Sequence, residues 1–380
     1  MIATYPVGGV VWDYGQYALG LERLGWEVYY LEDTGGPTYD PHKREYGEDC
    51  SFGVGFLDRA LADLSPHLAR RWHFRAMDGR TFGLSTERMQ HVLSEADLFL
   101  NVSGSALLRD EHMSCPRKVL IDTDPGWNHF VNYPKWDQSP GWLGTHGYRA
   151  HDYFFTYAEG IGRPGCRLPS LELEWRPTRP PVVLDCWHPA EKGERWTTVM
   201  TWNNFGKPVE YGGMVYGTKE MEFGKVETLP RYVQPAQLEL ATGGSGVPFS
   251  RWQDLGWHVI DSHGVSKTHR EYQGYIQRSR GEFSVAKNLY VATGSGWFSC
   301  RSVCYLAAGR PVVVQDTGFS EHIPTGEGLF AFRDLGEAVE AIRTVEADYS
   351  RHQEGALVVA REQFGSATVL GKLLEEIGLA

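Results

Sequence analysis

Residues 293–302, Thr-Gly-Ser-Gly-Trp-Phe-Ser-Cys-Arg-Ser, bring two glycines, several hydroxyls and an arginine together just ahead of a helical pattern. Free amides at a helix start, hydroxyls at Ser299 and Ser302 and the cation of Arg301 make a ready site for a diphosphate. Serine before a helix is also an ordinary cap, so this segment does not decide the matter alone. Two other loops carry compatible groups. Residues 316–322 (DTGFSEH) follow the apolar run PVVVQ, and a glycine-rich loop through Gly206, Gly212, Gly213 and Gly217 ends at Lys219. Three strand-end loops of one sheet would converge on one crevice.

Other spacings suggest other chemistry. A general base would come from Asp13, Asp122, Asp124 or His129, which follow glycine turns or strand ends. The plainer readings are a helix cap for Asp13, a turn residue for Asp124 and a hydrogen-bonded or surface histidine for His129. Cys300 and Cys304 could face one metal from a helix, but two thiols without a partner cluster make a poor site, and core packing is the better reading. Gly8, Gly9 and Gly15, with Glu32 and Asp33 after the next strand, approach a dinucleotide loop but lack the G-x-G-x-x-G spacing. Residues 127–157 hold ten aromatics, among them Trp127, Trp136 and Trp142. Such rings suit stacking on sugars or planar molecules as well as they suit a core.

These residues need elements to hold them. An apolar start at 2–5 and a glycine turn at Gly8 and Gly9 lead into a helix with Tyr14, Tyr17, Ala18, Leu21 and Leu24 on one face. Gly25 ends it, and 26–31 (WEVYYL) reads as a strand. The first strand is short because Met1 falls nearly inside it, which leaves room for a missing upstream residue or two. A helix near 87–93 and strands at 97–102 and 118–121 continue the alternation. Six prolines between 164 and 189 mark an extended connector. A second cycle follows: strands at 197–202, 257–260, 289–292, 311–315 and 328–332, and helices near 235–240, 268–277 and 301–308, then a helical tail from 334. The expected organisation is a Rossmann-like domain over 1–163, a connector over 164–190, a second Rossmann-like domain over 191–365 and a C-terminal helix over 366–380.

Composition narrows the class. Among 380 residues there are 44 glycines, and 42% are hydrophobic, so a folded chain with many tight turns is expected. The net charge is −11 with no basic half, which argues against nucleic acid or an anionic membrane as main partner. No apolar run is long enough to span a membrane, and six cysteines without a C-x-x-C pair suit a reducing compartment. A cytoplasmic protein without stable membrane insertion is the expectation.

The segment from Gly294 to Glu337, centred on GWFSCRSVCYLAAGRPVVVQDTGFSEHI, resembles the donor half of GT-B glycosyltransferases, most closely the family-four type. The opening PVGGVVWDYGQYALGLERLGWEVYYLED is similar to the N-terminal half of that fold. The resemblance implies an α/β chain of two doubly wound, Rossmann-like domains facing a cleft. It also implies a UDP- or GDP-type nucleotide-sugar bound by the C-terminal domain, a small-molecule, lipid or glycan acceptor on the other, and no required cofactor or metal. By that analogy Lys219 and Arg301 neutralise the departing diphosphate. Gly296, Trp297, Ser299, Ser302, Thr317, Gly318 and Phe319 complete the donor site with amides and hydroxyls, and Glu321 takes the place of the turn's glutamate. Many family-four enzymes carry two glutamates with seven residues between them where this chain has Ser295 and Val303; Glu282 is the substitute at hand. Gly8, Gly9, Trp127, Trp136 and Trp142 would meet the acceptor. A sugar-nucleotide epimerase of similar fold and a non-catalytic nucleotide-sugar binder are the alternatives.

Overall fold

The computed structural model describes residues 1–138, 141, 145–191, 193–203 and 208–379. The chain forms two units. One comprises Met1–Tyr157, Ser170–Pro181 and Ser366–Ala380, the other Ala158–Pro169 and Val182–Gly365. The proline-rich stretch 164–190 is therefore divided between the units, and the terminal helix belongs with the N-terminal one. Trp142 and Gly206 lie outside the described residues. No helix among those described is long and apolar enough to cross a membrane.

In the N-terminal unit, α1 (Gly8–Arg23) leads to β1 (Tyr30–Glu32), then α2 (Ser51–Leu64), β2 (Trp72–Arg75), β3 (Thr81–Gly83) and α3 (Thr86–Glu95). β4 (Phe99–Val102), β5 (Lys118–Asp122), β6 (Tyr153–Thr156) and β7 (Trp175–Pro177) follow. These strands make two separate sheets, ordered β1-β2-β3 and β4-β5-β6-β7. All pairings are parallel except β2 with β3. An uncapped hairpin of 38–40 with 45–47 extends the loop after β1.

The C-terminal unit holds one sheet of six strands: β8 (Arg195–Thr201), β9 (Gln237–Gly243), β10 (His258–Asp261), β11 (Gly281–Ser284), β12 (Val312–Gln315) and β13 (Leu329–Phe332). Every pairing is parallel, and the order is β10-β9-β8-β11-β12-β13. Numbered by appearance, that is 3-2-1-4-5-6, the doubly wound arrangement, whose ligand crevice opens where the order reverses between β8 and β11. The helices that matter for the site are α4 (His269–Gln277), α5 (Asn288–Thr293) and α6 (Cys300–Ala307). α7 (Leu335–Ala347) supplies Ala338, Ala341, Ile342 and Val345 to a core shared with Trp196, Phe283 and Val313 of the sheet. α8 (Tyr349–Val359) follows, and α9 (Ser366–Glu376) ends the chain.

Several expectations need correction. Residues 2–5 form turns, not a strand, and Gly8 and Gly9 open α1 instead of forming a separate turn. The strand expected over 26–31 is confined to Tyr30–Glu32. Residues 237–240, read as helical from leucine, glutamate and alanine, lie in β9: pairing on both edges outweighs a weak helix propensity. The run 289–292, read as a strand, is inside α5, where Thr293 bonds back to the Leu289 carbonyl and Gly294 ends the helix at φ 59°. A short apolar run does not distinguish these two states. The real strand is the more polar Gly281–Ser284, wholly buried because its polar groups meet an arginine.

Candidate functional site

The crevice at the reversal point of the six-stranded sheet is built around Arg301. Its Nε donates to Glu282 Oε1 at 2.6 Å, Nη1 to the Val199 carbonyl at 2.9 Å and Nη2 to Ser284 Oγ at 2.6 Å. One residue in the first turn of α6 thus ties together the strands that flank the reversal, β8 and β11. Glu282 is wholly buried and its Oε2 has no hydrogen-bond partner among the described residues. Its place makes it the counter-ion that orients Arg301.

Lys219 reaches the same region from another loop, with Nζ donating to the Val285 carbonyl at 2.8 Å. Burial pulls its pKa well below the usual lysine value, the charges of Arg301 and Lys287 pull the same way, and Glu282 opposes them. Lys219 therefore feels two cations, Arg301 and Lys287, against one carboxylate, Glu282, and Arg301 brings a fixed positive charge to this region. α6 adds to it, because Ser299 sits at the cap position without a side-chain hydrogen bond and leaves the first amides uncapped by it. Ser302 is buried and its Oγ has no partner among the described residues.

The loops above this pair are fixed by their own bonds. Gly296 donates to the Thr317 carbonyl at 2.8 Å, Thr317 Oγ1 to the Trp297 carbonyl at 2.6 Å, and Gly318 to Asp316 Oδ1 at 2.9 Å. The Trp297 amide faces Ser295 Oγ at 3.3 Å. Of the amides expected as donors to a ligand, Gly296 thus joins the two loops, while Trp297 and Gly318 bond within their own loops. Gly296 has φ 76°, and a Cβ there would lie 2.8 Å from the Gly160 amide, so only glycine lets residues 159–160 pack on this loop. The Trp297 ring is stacked on Tyr290 with centroids 4.1 Å apart. Phe319 is buried against Phe298, and Glu321 is exposed at the end of its turn.

The sequence did not single out Glu222, the hub beneath these loops. It is 1% exposed and accepts from Asn288 Nδ2 at 2.7 Å and Lys225 Nζ at 2.7 Å, and also from Gln315 Nε2. Asn288 in turn accepts from the Gly217 amide at 3.0 Å, and Gln315 from the Ala286 amide at 3.2 Å. The run KEMEF looks like a solvated charged turn, and only the third dimension shows that the second glutamate points inward.

In the N-terminal unit the candidate residues separate. Gly8 and Gly9 begin α1, and Asp13 lies one turn further, partly exposed. Asp124 is partly exposed in the loop after β5. His129 is completely buried: Nε2 meets Asp122 Oδ2 at 2.9 Å, Asn128 Nδ2 donates to Asp122 Oδ1 at 2.6 Å, and Trp175 packs on the imidazole at 4.9 Å. Trp136 is half-buried among Tyr133 and Tyr148, each at 6.0 Å, and Trp127 is half-buried at the start of the helical turn holding His129. Much of the aromatic run is core. A different aromatic group is more open: Tyr5, just before α1, stacks on Tyr39 at 4.8 Å, and Tyr46, 60% exposed, lies 5.2 Å from Tyr39. These rings are scattered in sequence, so no local density announced them.

Glu32 and Asp33 are also occupied. Glu32 accepts from the amides of Ala3 and Thr4 and from Thr4 Oγ1, and Asp33 from Arg75 and Arg109. Neither is open to a ribose, which removes the basis of a dinucleotide site there.

No protein-family model and no curated protein matches the chain. Among solved structures, it is similar to AviGT4, a glycosyltransferase involved in avilamycin A biosynthesis, at 13% identity and TM-score 0.52, covering 97% of this chain and 89% of that one. It is equally similar to Alr3699/HepE of Anabaena, solved with UDP and glucose, at 10% identity and TM-score 0.52, covering 93% and 100%. The likeness is one of fold: the chain has the two-domain α/β architecture of GT-B glycosyltransferases.

Proposed function

We propose that the protein is a glycosyltransferase that binds a nucleotide-sugar on its C-terminal unit. The observation that carries this reading is the positive charge of Arg301, held at the sheet's reversal point by Glu282, Ser284 and the Val199 carbonyl, with Lys219 reaching the same region from another loop. Such a field, joined to the amides of α6, suits the two negative charges of a diphosphate. In the reaction an acceptor oxygen bonds to the anomeric carbon, the bond from that carbon to the diphosphate breaks, and the leaving oxygen keeps the electron pair. Arg301, held by Glu282 and Ser284, and Lys219 stabilise the charge that develops there. That the Anabaena protein is solved with UDP agrees with a uridine donor.

The acceptor belongs, on this reading, to the N-terminal unit near the start of α1. Gly8, Gly9 and Asp13 lie there, and the open rings of Tyr5, Tyr39 and Tyr46 offer a stacking surface beside it. Asp13 and Asp124, both partly exposed, are better placed than the enclosed His129 to take the acceptor's proton. The test is a thermal-shift series with UDP, GDP, ADP and dTDP. One of them, UDP first, should raise the melting temperature as mass action requires. If none does, the donor site is lost, and with it the transferase reading.

A further inference from the structure

The N-terminal unit contains a cavity of about 380 Å³ where its sheet is interrupted. β1 pairs only with β2 and β4 only with β5, so each ends its sheet and has one unpaired edge among the described residues. The cavity is walled by Tyr30 and Leu31 of β1 and by Leu100 of β4, with Tyr17 and Leu21 of α1 and Met89 of α3 completing it. The C-terminal unit shows what belongs at this place. There the first strand, β8, lies between the second and the fourth. Aligned to the same order, β2 and β1 are the third and second strands and β4, β5 and β6 the fourth to sixth. The position between second and fourth is the cavity, and the helix that should follow the absent strand is present as α1.

We propose that this slot seats a parallel β-strand supplied by residues encoded immediately N-terminal of Met1. What requires an occupant is the interrupted sheet, not the position of the terminus. Met1 itself lines the cavity, and its backbone nitrogen lies 2.9 Å from both Tyr30 Oη and Glu32 Oε2. An incoming peptide would thread straight from the slot into the lead-in of α1. The inserted strand would be about four residues long, to match Phe99–Val102. It would be apolar on both sides, as a strand covered on both faces must be. Its bonds would satisfy the open edges of β1 and β4 together.

The test compares the 380-residue chain with one extended by its upstream in-frame codons, and measures the intact mass of the protein isolated from its native cells. The expected result is a native mass above that of the 380-residue chain, with an apolar run directly ahead of Met1. The extended chain should melt at least about 5 °C higher and should lose the anilinonaphthalene-sulfonate fluorescence shown by the shorter one. An aspartate placed inside the apolar run should abolish the gain. A native mass equal to the shorter chain's, or equal melting of the two forms, overturns the proposal. The cavity would then be a ligand pocket or the seat of a strand from a second copy, which a concentration-dependent melt would distinguish. Because this readout involves no nucleotide, its failure would be separate from failure of the transferase reading.

Discussion

The two units follow one winding scheme, but they treat its central strand differently. In the C-terminal unit β8 runs for seven residues between β9 and β11, and the groups at its end, Val199 among them, are engaged by Arg301. In the N-terminal unit the corresponding position is a cavity, and the sheet falls into two parts. A central parallel strand therefore does two jobs in this fold: it joins the halves of the sheet, and it carries the backbone on which a site at the reversal point is assembled. The unit that has the strand also has the laced polar network. The unit that lacks it relies on aromatic packing around Tyr133 and Tyr148 and on the ion pairs of Asp33.

The sharpest way to break this contrast is at Arg301. Arg301→Ala leaves Glu282 buried without its partner and should cost the C-terminal unit ~3–5 kcal/mol, together with any nucleotide-induced stabilisation. Hydrogen exchange followed peptide by peptide would check it, since protection should fall in β8 and β11 and not in β4 and β5. An unchanged response to nucleotide would take Arg301 out of the site.

Acid should act on the other unit. His151 is buried, accepts at Nε2 from Asn101 Nδ2 and donates from Nδ1 to the Tyr148 carbonyl, and burial pushes its pKa down to about 4. The folded state thus keeps it neutral while the unfolded chain takes up a proton near pH 6.5, so its contribution is full above pH 6.5 and shrinks as the pH falls to about 4. The loss over that window should approach ~3 kcal/mol. Urea titrations at pH 7 and pH 5, read from N-terminal peptides, would measure it, and His151→Gln should flatten the dependence.

Smaller effects sharpen the picture. Gly296→Ala forces a β-carbon into left-handed backbone and against Gly160, for a cost of ~1–2 kcal/mol and a weaker nucleotide response in the same thermal-shift assay. Tyr46→Ala should change stability by less than ~0.5 kcal/mol yet reduce acceptor turnover, whereas Trp136→Ala should destabilise the N-terminal unit, because its ring is packed against the stacked pair Tyr133 and Tyr148. Equal destabilisation by both would return the tyrosines to the core.

What could be read from the sequence follows from how local each signal is. The helix starts at 86 and 269 are marked by Ser85 and Thr268, whose side chains cap the helices as such residues do. The strand PVVVQ is legible because continuous branched apolar residues suit a covered parallel strand. The loops around Arg301 and Lys219 stand out in the sequence because glycines, hydroxyls and cations occur close together. Gly281–Ser284 was missed, since a glutamate and a serine look like surface until an arginine from another element meets them. Glu222 was missed for the same reason.

By itself, then, the sequence determined the α/β class, most of the helices and turn positions that demand glycine, such as Gly294 and Gly296, all features set by neighbours in the chain. Only the tertiary structure decided that Glu282 serves Arg301 and that Glu222 locks two loops. It alone showed that His129 lies buried against Asp122 and that, among the described residues, the N-terminal strands fall into two separate sheets. Each of these is a pairing between distant segments, and burial gives such a pairing its energy by removing water from groups that local sequence cannot show to be adjacent.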